Sequence, residues 1–252
     1  MYRKLILAGL LAIAPSTIYA AAITFTASCA SCGASGAPDS AQADFTVDST
    51  TGTVTIILTN LLNNNDINPY TAGSLLSGIG FTLTNAVTGP FNHTSTGATV
   101  DIAADKTYTA GASQNLGWAL LVNAGFFHFD PLDGSSTFNP ALTIIGKDSA
   151  GGYTGAGTYS NANGSIAGNG PHNPFAQNSV TLVVSGIVGL NAQTTINSAT
   201  FYFGTGPTSL PGVPGGGGGG AGDPTPEPAT FGLLGSALAG LAVVRWRRSV
   251  RK

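Results

Sequence analysis

Glutamate occurs once in this 252-residue chain, at Glu227, and no arginine stands between Arg3 and Arg245. Seven of the nine Lys and Arg sit at the two ends (Arg3, Lys4, Arg245, Arg247, Arg248, Arg251, Lys252), leaving Lys106 and Lys147 in the body. Against those two lysines, residues 23–210 set nine aspartates (Asp39, Asp44, Asp48, Asp66, Asp101, Asp105, Asp130, Asp133, Asp148), a net charge of −7 that the whole-chain value of −2 conceals. Such a body repels phosphate backbones and has no cations to displace their counterions, so nucleic acid is excluded as a partner. Without Glu, the carboxylate pairs that glycoside hydrolysis uses reduce to Asp101 with Asp105 or Asp130 with Asp133. No G-x-S-x-G, H-E-x-x-H or phosphate-binding loop is present. The expectation is a protein that is not an enzyme and needs no cofactor. The alternative is a secreted hydrolase acting on polysaccharide.

What is present begins with an export signal. Arg3 and Lys4 precede an apolar run at 5–14, and Ala20-Ala21-Ala22 offers small residues for cleavage, so residues 1–22 read as a signal peptide. The apolar run is too short to span a membrane. Export makes the two cysteines readable, because Cys29-Ala30-Ser31-Cys32 then reaches an oxidising compartment, where a local disulfide is expected. A thioredoxin-like redox pair would open a helix in a βαβ unit, and none follows; zinc would need a second ligand pair.

From residue 23 the apolar residues recur with period two. Phe45 and Val47 alternate with Asp44, Thr46 and Asp48, while Val54, Ile56 and Leu58 follow after a short loop, which predicts a hairpin. Further strands are expected near 23–25, 81–83, 100–102, 116–122, 126–129, 141–145, 180–184 and 199–203. Threonine on the polar faces suits a pleated surface. The pattern predicts an all-β body at 23–205, an antiparallel β-sandwich of jelly-roll-like or Greek-key type, with Phe45, Val47, Val54, Ile56, Phe81, Leu83, Phe201 and Phe203 in one core between two sheets. Residues 206–225, with six consecutive glycines at 215–220, read as a flexible linker.

Candidate chemistry is sparse. His128 and Asp130 stand two apart in "FFHFDPLDGSS", on one side of a strand end. Asp130 and Asp133 are weak calcium candidates, as is "NNNDIN" at 63–68, although turn-forming Asn and Asp explain both equally well. The Gly- and Asn-rich stretch 146–178 carries Tyr153, Tyr159, His172 and Phe175, which would either stack on sugar or pin the loop to the body.

The tail is the most informative segment. Pro226-Glu227-Pro228 precedes a charge-free stretch at 229–244, followed by Arg245-Trp246-Arg247-Arg248. A helix over about 229–246 would span roughly 27 Å at about 1.5 Å per residue, close to a hydrocarbon core, with Trp246 at an interface and the arginines held in the cytoplasm. Gly232, Ser236 and Gly240 form a small-residue stripe on it. These three elements in this order resemble the PEP-CTERM sorting signal of exported Gram-negative bacterial proteins. The resemblance implies that an exosortase, an integral-membrane enzyme, processes the chain near Pro226, Glu227 and Pro228. It also implies inner-membrane anchoring before processing and delivery to the cell surface or extracellular matrix. A polysaccharide partner is expected only from the hydrolase and sugar-stacking readings of the body.

Overall fold

Alternating side chains commit one face of each strand to a common interior, and the computed structural model shows where those faces meet. It describes residues 22–32, 36–131, 141–151, 155–205 and 208–215. The strands are β1 (Ile23–Cys29), β2 (Asp39–Asp48), β3 (Thr53–Asn60), β4 (Leu76–Leu83), β5 (Asn92–Ile102), β6 (Thr107–Asn115), β7 (Ala119–Asn123) and β8 (Phe126–Asp130). They continue with β9 (Ile144–Ile145), β10 (Ala156–Thr158), β11 (Phe175–Gln177), β12 (Ser179–Ser185), β13 (Ile196–Phe203), β14 (Thr208–Pro211) and β15 (Val213–Gly215). The predicted hairpin is β2–β3, closed by the Asp48↔Thr53 pair; the Asp48 carboxylate accepts from the Thr50 and Thr51 amides at 2.8 and 3.2 Å.

The expectation of two separate antiparallel sheets is corrected. Hydrogen bonding runs through one fifteen-stranded sheet in the order β14-β13-β4-β9-β11-β5-β12-β3-β2-β1-β15, with β6, β7, β8 and β10 attached alongside. The sheet is mixed, because β9 and β11 pair in parallel. Its two ends are joined by one stretch of chain. Residues 208–211 pair with β13 and residues 213–215 pair with β1, so a segment that composition assigns to the linker completes the body. Pro211 and Pro214 are tolerated there because these are short edge strands.

The sheet folds over, so that β1, β2, β3 and β12 face β4, β8 and β13 across an apolar interior. Phe45 from β2 meets Phe81 from β4 with ring centroids 5.3 Å apart, and Phe81 stacks on Phe127 of β8 at 5.0 Å. Seven of the eight predicted core residues are buried in this interior, and Leu83 packs against its rim. A second, smaller core lies beyond β9 and β11, filled by Leu62, Ile67, Tyr70, Leu75, Ile102, Tyr108, Tyr159, Ile166 and Phe175.

A single layer of chain divides the two cores. Leu76, Ile144 and Ala176 belong to the first; their chain neighbours Leu75, Ile145 and Phe175 belong to the second. Strands buried on both faces read as adjacent apolar pairs rather than alternation, as "SLLS" and "TIIG" do. The predicted membrane helix at 229–246 and the signal at 1–22 fall almost wholly outside the described residues. Among the described residues no helix is long and apolar enough to cross a membrane.

Candidate functional site

On β4, Ile79 and Phe81 point inward and are fully buried, which leaves Gly78, Gly80 and Thr82 on the outer face. Two glycines at alternate positions strip that face of side chains. Their neighbours in register are Tyr202 opposite Gly78, and both Thr200 and His128 opposite Gly80; Phe126 lies opposite Thr82. The rings of these neighbours occupy the vacated floor. A Cβ at Gly80 would collide with the Phe126 ring, and one at Gly78 would stand 2.8 Å from the Phe129 carbonyl oxygen, 3.3 Å from His128 Nε2 and 3.4 Å from Tyr202 Cβ. The result is a row of rings across β8, β4 and β13, with centroids 6.2 Å apart from Phe126 to His128 and 4.5 Å apart from His128 to Tyr202. Leu121, opposite His128 on β7, edges the row and is exposed.

The rings themselves are uncharged, with the Asp130 carboxylate near them. His128 Nε2 is buried without a partner among the described residues. Desolvation lowers the His128 pKa below the usual histidine value, only partly opposed by Asp130, so the imidazole is a neutral ring at pH 7. Burial, and then the Asp130 charge, push the Tyr202 phenol up. Histidine and Asp130 share one face of β8, as the spacing predicts. His128 Nε2 faces the bare backbone at Gly78.

Asp133 and Tyr153 lie outside the described residues. Asp105 closes a turn, accepting from the Thr107 amide at 3.0 Å and its hydroxyl at 2.6 Å. Asp101 lies on the opposite arm of that turn, beside a concavity of about 400 Å³ lined by Thr99, Thr107, Tyr108 and Thr109, where it is the one carboxylate. The Asn63–Asn68 segment works as a set of amide clips. Asn63 caps a 3-10 turn, and the buried Asn64 donates to Ser149 Oγ (2.7 Å) and Ser160 Oγ (3.2 Å) and accepts from the Asn161 amide (3.1 Å). Among the described residues no three His, Cys, Asp or Glu side chains gather as metal ligands would.

Tyr159 and Phe175 are fully buried in the second core, and the Tyr159 hydroxyl donates to the Gly146 carbonyl at 2.8 Å, so they pin the long loop and offer no surface for stacking. Half-buried His172 has its pKa lowered, chiefly by burial. The half-exposed ring row lies elsewhere, and its signal in the sequence was "SGIGF", where glycines replace the polar half of the alternation.

Cys29 and Cys32 form a disulfide with their Cα atoms 5.6 Å apart, at the end of β1 opposite Asp39. Pro226, Glu227, Pro228, Arg245, Arg247 and Arg248 lie outside the described residues, and sequence comparison carries that part. No curated protein and no solved structure matches the chain. The family described as the PEP-CTERM protein-sorting motif matches residues 224–248. That motif implies export and processing by an exosortase, a membrane enzyme. The chain therefore carries, at its C-terminal end, the sorting motif that defines PEP-CTERM proteins.

Proposed function

We propose that this is a protein of the cell surface or extracellular matrix whose β-rich body has a structural or binding role and no catalytic one. In this reading the 229–246 helix anchors the chain in the inner membrane only until processing near Pro226-Glu227-Pro228 releases it. The body at 23–215 is a folded-over sandwich, and the glycine run beyond it is the tether. The observation that carries the reading is the match of the sorting motif to residues 224–248. The test is C-terminal peptide mapping of the surface-localised protein in a host with an exosortase. The expected mature chain ends near residue 228, and changing Pro226, Glu227 and Pro228 to Ala leaves the tail attached in the membrane fraction. An intact "RWRRSVRK" terminus on the mature wild-type protein would leave a permanent single-span anchor instead.

A further inference from the structure

Resting on the reading of the body as a binding module, we propose that the Phe126–His128–Tyr202 row binds a neutral polysaccharide, its pyranose rings lying against the aromatic rings. A pyranose presents a face of C–H groups edged by hydroxyls, so it needs flat apolar rings with hydrogen-bonding groups around them. The outer face of β7, β8, β4 and β13 has this composition. The row extends over two successive centroid steps of 6.2 and 4.5 Å, longer than one sugar ring, and is stepped, the His128 ring being tilted 39° to Phe126 and 41° to Tyr202. Beside it Thr82 and Ser198 pair their hydroxyls at 2.8 Å, Thr200 stands opposite Gly80, and Asp130 ends β8.

Charge narrows the occupant. These strands carry no Lys or Arg, and the body they belong to is strongly acidic, so an anionic chain is repelled. Protein interfaces centre on a broad apolar patch within roughly 800 Å² per side, and beyond the ring row the one large aliphatic side chain exposed on this face among the described residues is Leu121. An uncharged glycan meets neither obstacle.

Packing fixes both glycines: a Cβ at Gly78 would stand 2.8 Å from the Phe129 carbonyl oxygen, and one at Gly80 would run into the Phe126 ring. The space they leave on this face seats the Phe126, His128 and Tyr202 rings, each half buried.

The test uses the chain recovered from the exporting host, run in native gels containing hydroxyethyl cellulose, xyloglucan, galactomannan or laminarin, with alginate as the anionic comparison. At least one neutral polymer should retard the wild type, and alginate should not. Tyr202→Ala and Phe126→Ala should each weaken that retardation about tenfold or more while the urea midpoint stays close to that of the wild type. Gly80→Val, which lifts Phe126 off the floor and keeps every ring, should do the same. Retardation by none of the neutral polymers, or equal retardation of wild type and variants with native midpoints, would overturn the proposal. So would a dimer that Phe126→Ala dissociates, since the face would then belong to a second copy. Retardation that the variants leave intact would keep a binding role for the body and remove only this site, and C-terminal processing is read independently of all these outcomes.

Discussion

The two cores on either side of the β9–β11 wall are held by different forces. The first is built from aliphatic and phenyl side chains supplied by alternating strands, and its rings meet one another: Phe25 on Phe45 at 5.9 Å, Phe45 on Phe81, Phe81 on Phe127. The second is smaller and is closed by polar groups that reach between segments far apart in sequence. Three tyrosine hydroxyls converge on residues 146–148. Tyr70 accepts from the Gly146 amide at 2.8 Å, Tyr159 donates to the Gly146 carbonyl at 2.8 Å, and Tyr108 donates to the buried Asp148 carboxylate at 2.9 Å. Gly146 must be glycine, since a Cβ would collide with the Leu62 carbonyl. Burial of area stabilises the first core, whereas the second depends on each buried polar group finding its partner.

The largest expected effect comes from deleting a ring in the first core. Phe45 is fully buried between Phe25 and Phe81, so Phe45→Ala should cost about 3–5 kcal/mol through lost transfer energy and the cavity left behind. Urea unfolding of the variant should show an earlier midpoint for the whole body. A midpoint near that of the wild type would show that the folded-over sheet is not the main source of stability.

Leu75 and Leu76 make a matched pair of probes, since both are fully buried, adjacent in the chain and on opposite sides of the wall. Each Leu→Ala change should cost about 2–4 kcal/mol. Hydrogen exchange should separate them. Leu76→Ala should speed exchange across β2, β3 and β13, and Leu75→Ala should act mainly on residues 61–75 and 156–178. Identical exchange patterns would merge the two cores into one cooperative unit.

Asn64→Ala tests the polar closure by itself. It removes the acceptor of the Asn161 amide and one donor to Ser149 and Ser160, which stay bonded to each other, without opening an apolar cavity, and should cost about 1–3 kcal/mol. The loss should again be confined to the second core, read by exchange of the Asn161 and Asn163 amides. Protection unchanged from the wild type would mean that the apolar residues of that core suffice.

The same contrast explains what the sequence made legible. Period two located β2, β3, β12 and β13, because each has one wet and one dry face, and of β4 only the Phe81–Leu83 end, since the rest of that strand is buried on both faces. It missed β6, "TYTAGASQN", whose outer positions are so exposed that only Tyr108 marks an inward side. It also missed β10 and β11 within the long loop, where partners rather than propensity make the strand. The tail was legible as an ordered motif, and the disulfide as spacing plus compartment. The ring row was not, since its residues come from 78–80, 126–128 and 202, and only the β-sheet register joins them.

Asp39 gives the smallest predicted effect and is the exception in the apolar core. It faces inward in step with Ala41, Ala43 and Phe45, and neither carboxyl oxygen has a partner among the described residues. Asp148, equally buried in the second core, accepts from Tyr108 and from the Ala150 amide at 3.0 Å. Burial without a partner penalises the charged form and pushes the Asp39 carboxyl from 3.8 up to about 6. Between those values the folded chain binds more protons than the unfolded one, so this contribution to stability is full below 3.8, declines as pH rises, and is lost above about 6. His128 acts in the opposite sense: its pKa is lowered from 6.5, so its contribution is full above 6.5 and falls as the pH drops. Cys29 and Ser40, beside Asp39, are half exposed, and solvent screening leaves on the order of 1 kcal/mol of the carboxyl effect. Asp39→Asn keeps the shape and removes the charge, so it should raise the urea midpoint at pH 7.5 and leave it nearly unchanged at pH 4. Equal shifts at both pH values would mean that the carboxyl is not ionising in place, and the first core would then contain no charge that opposes it.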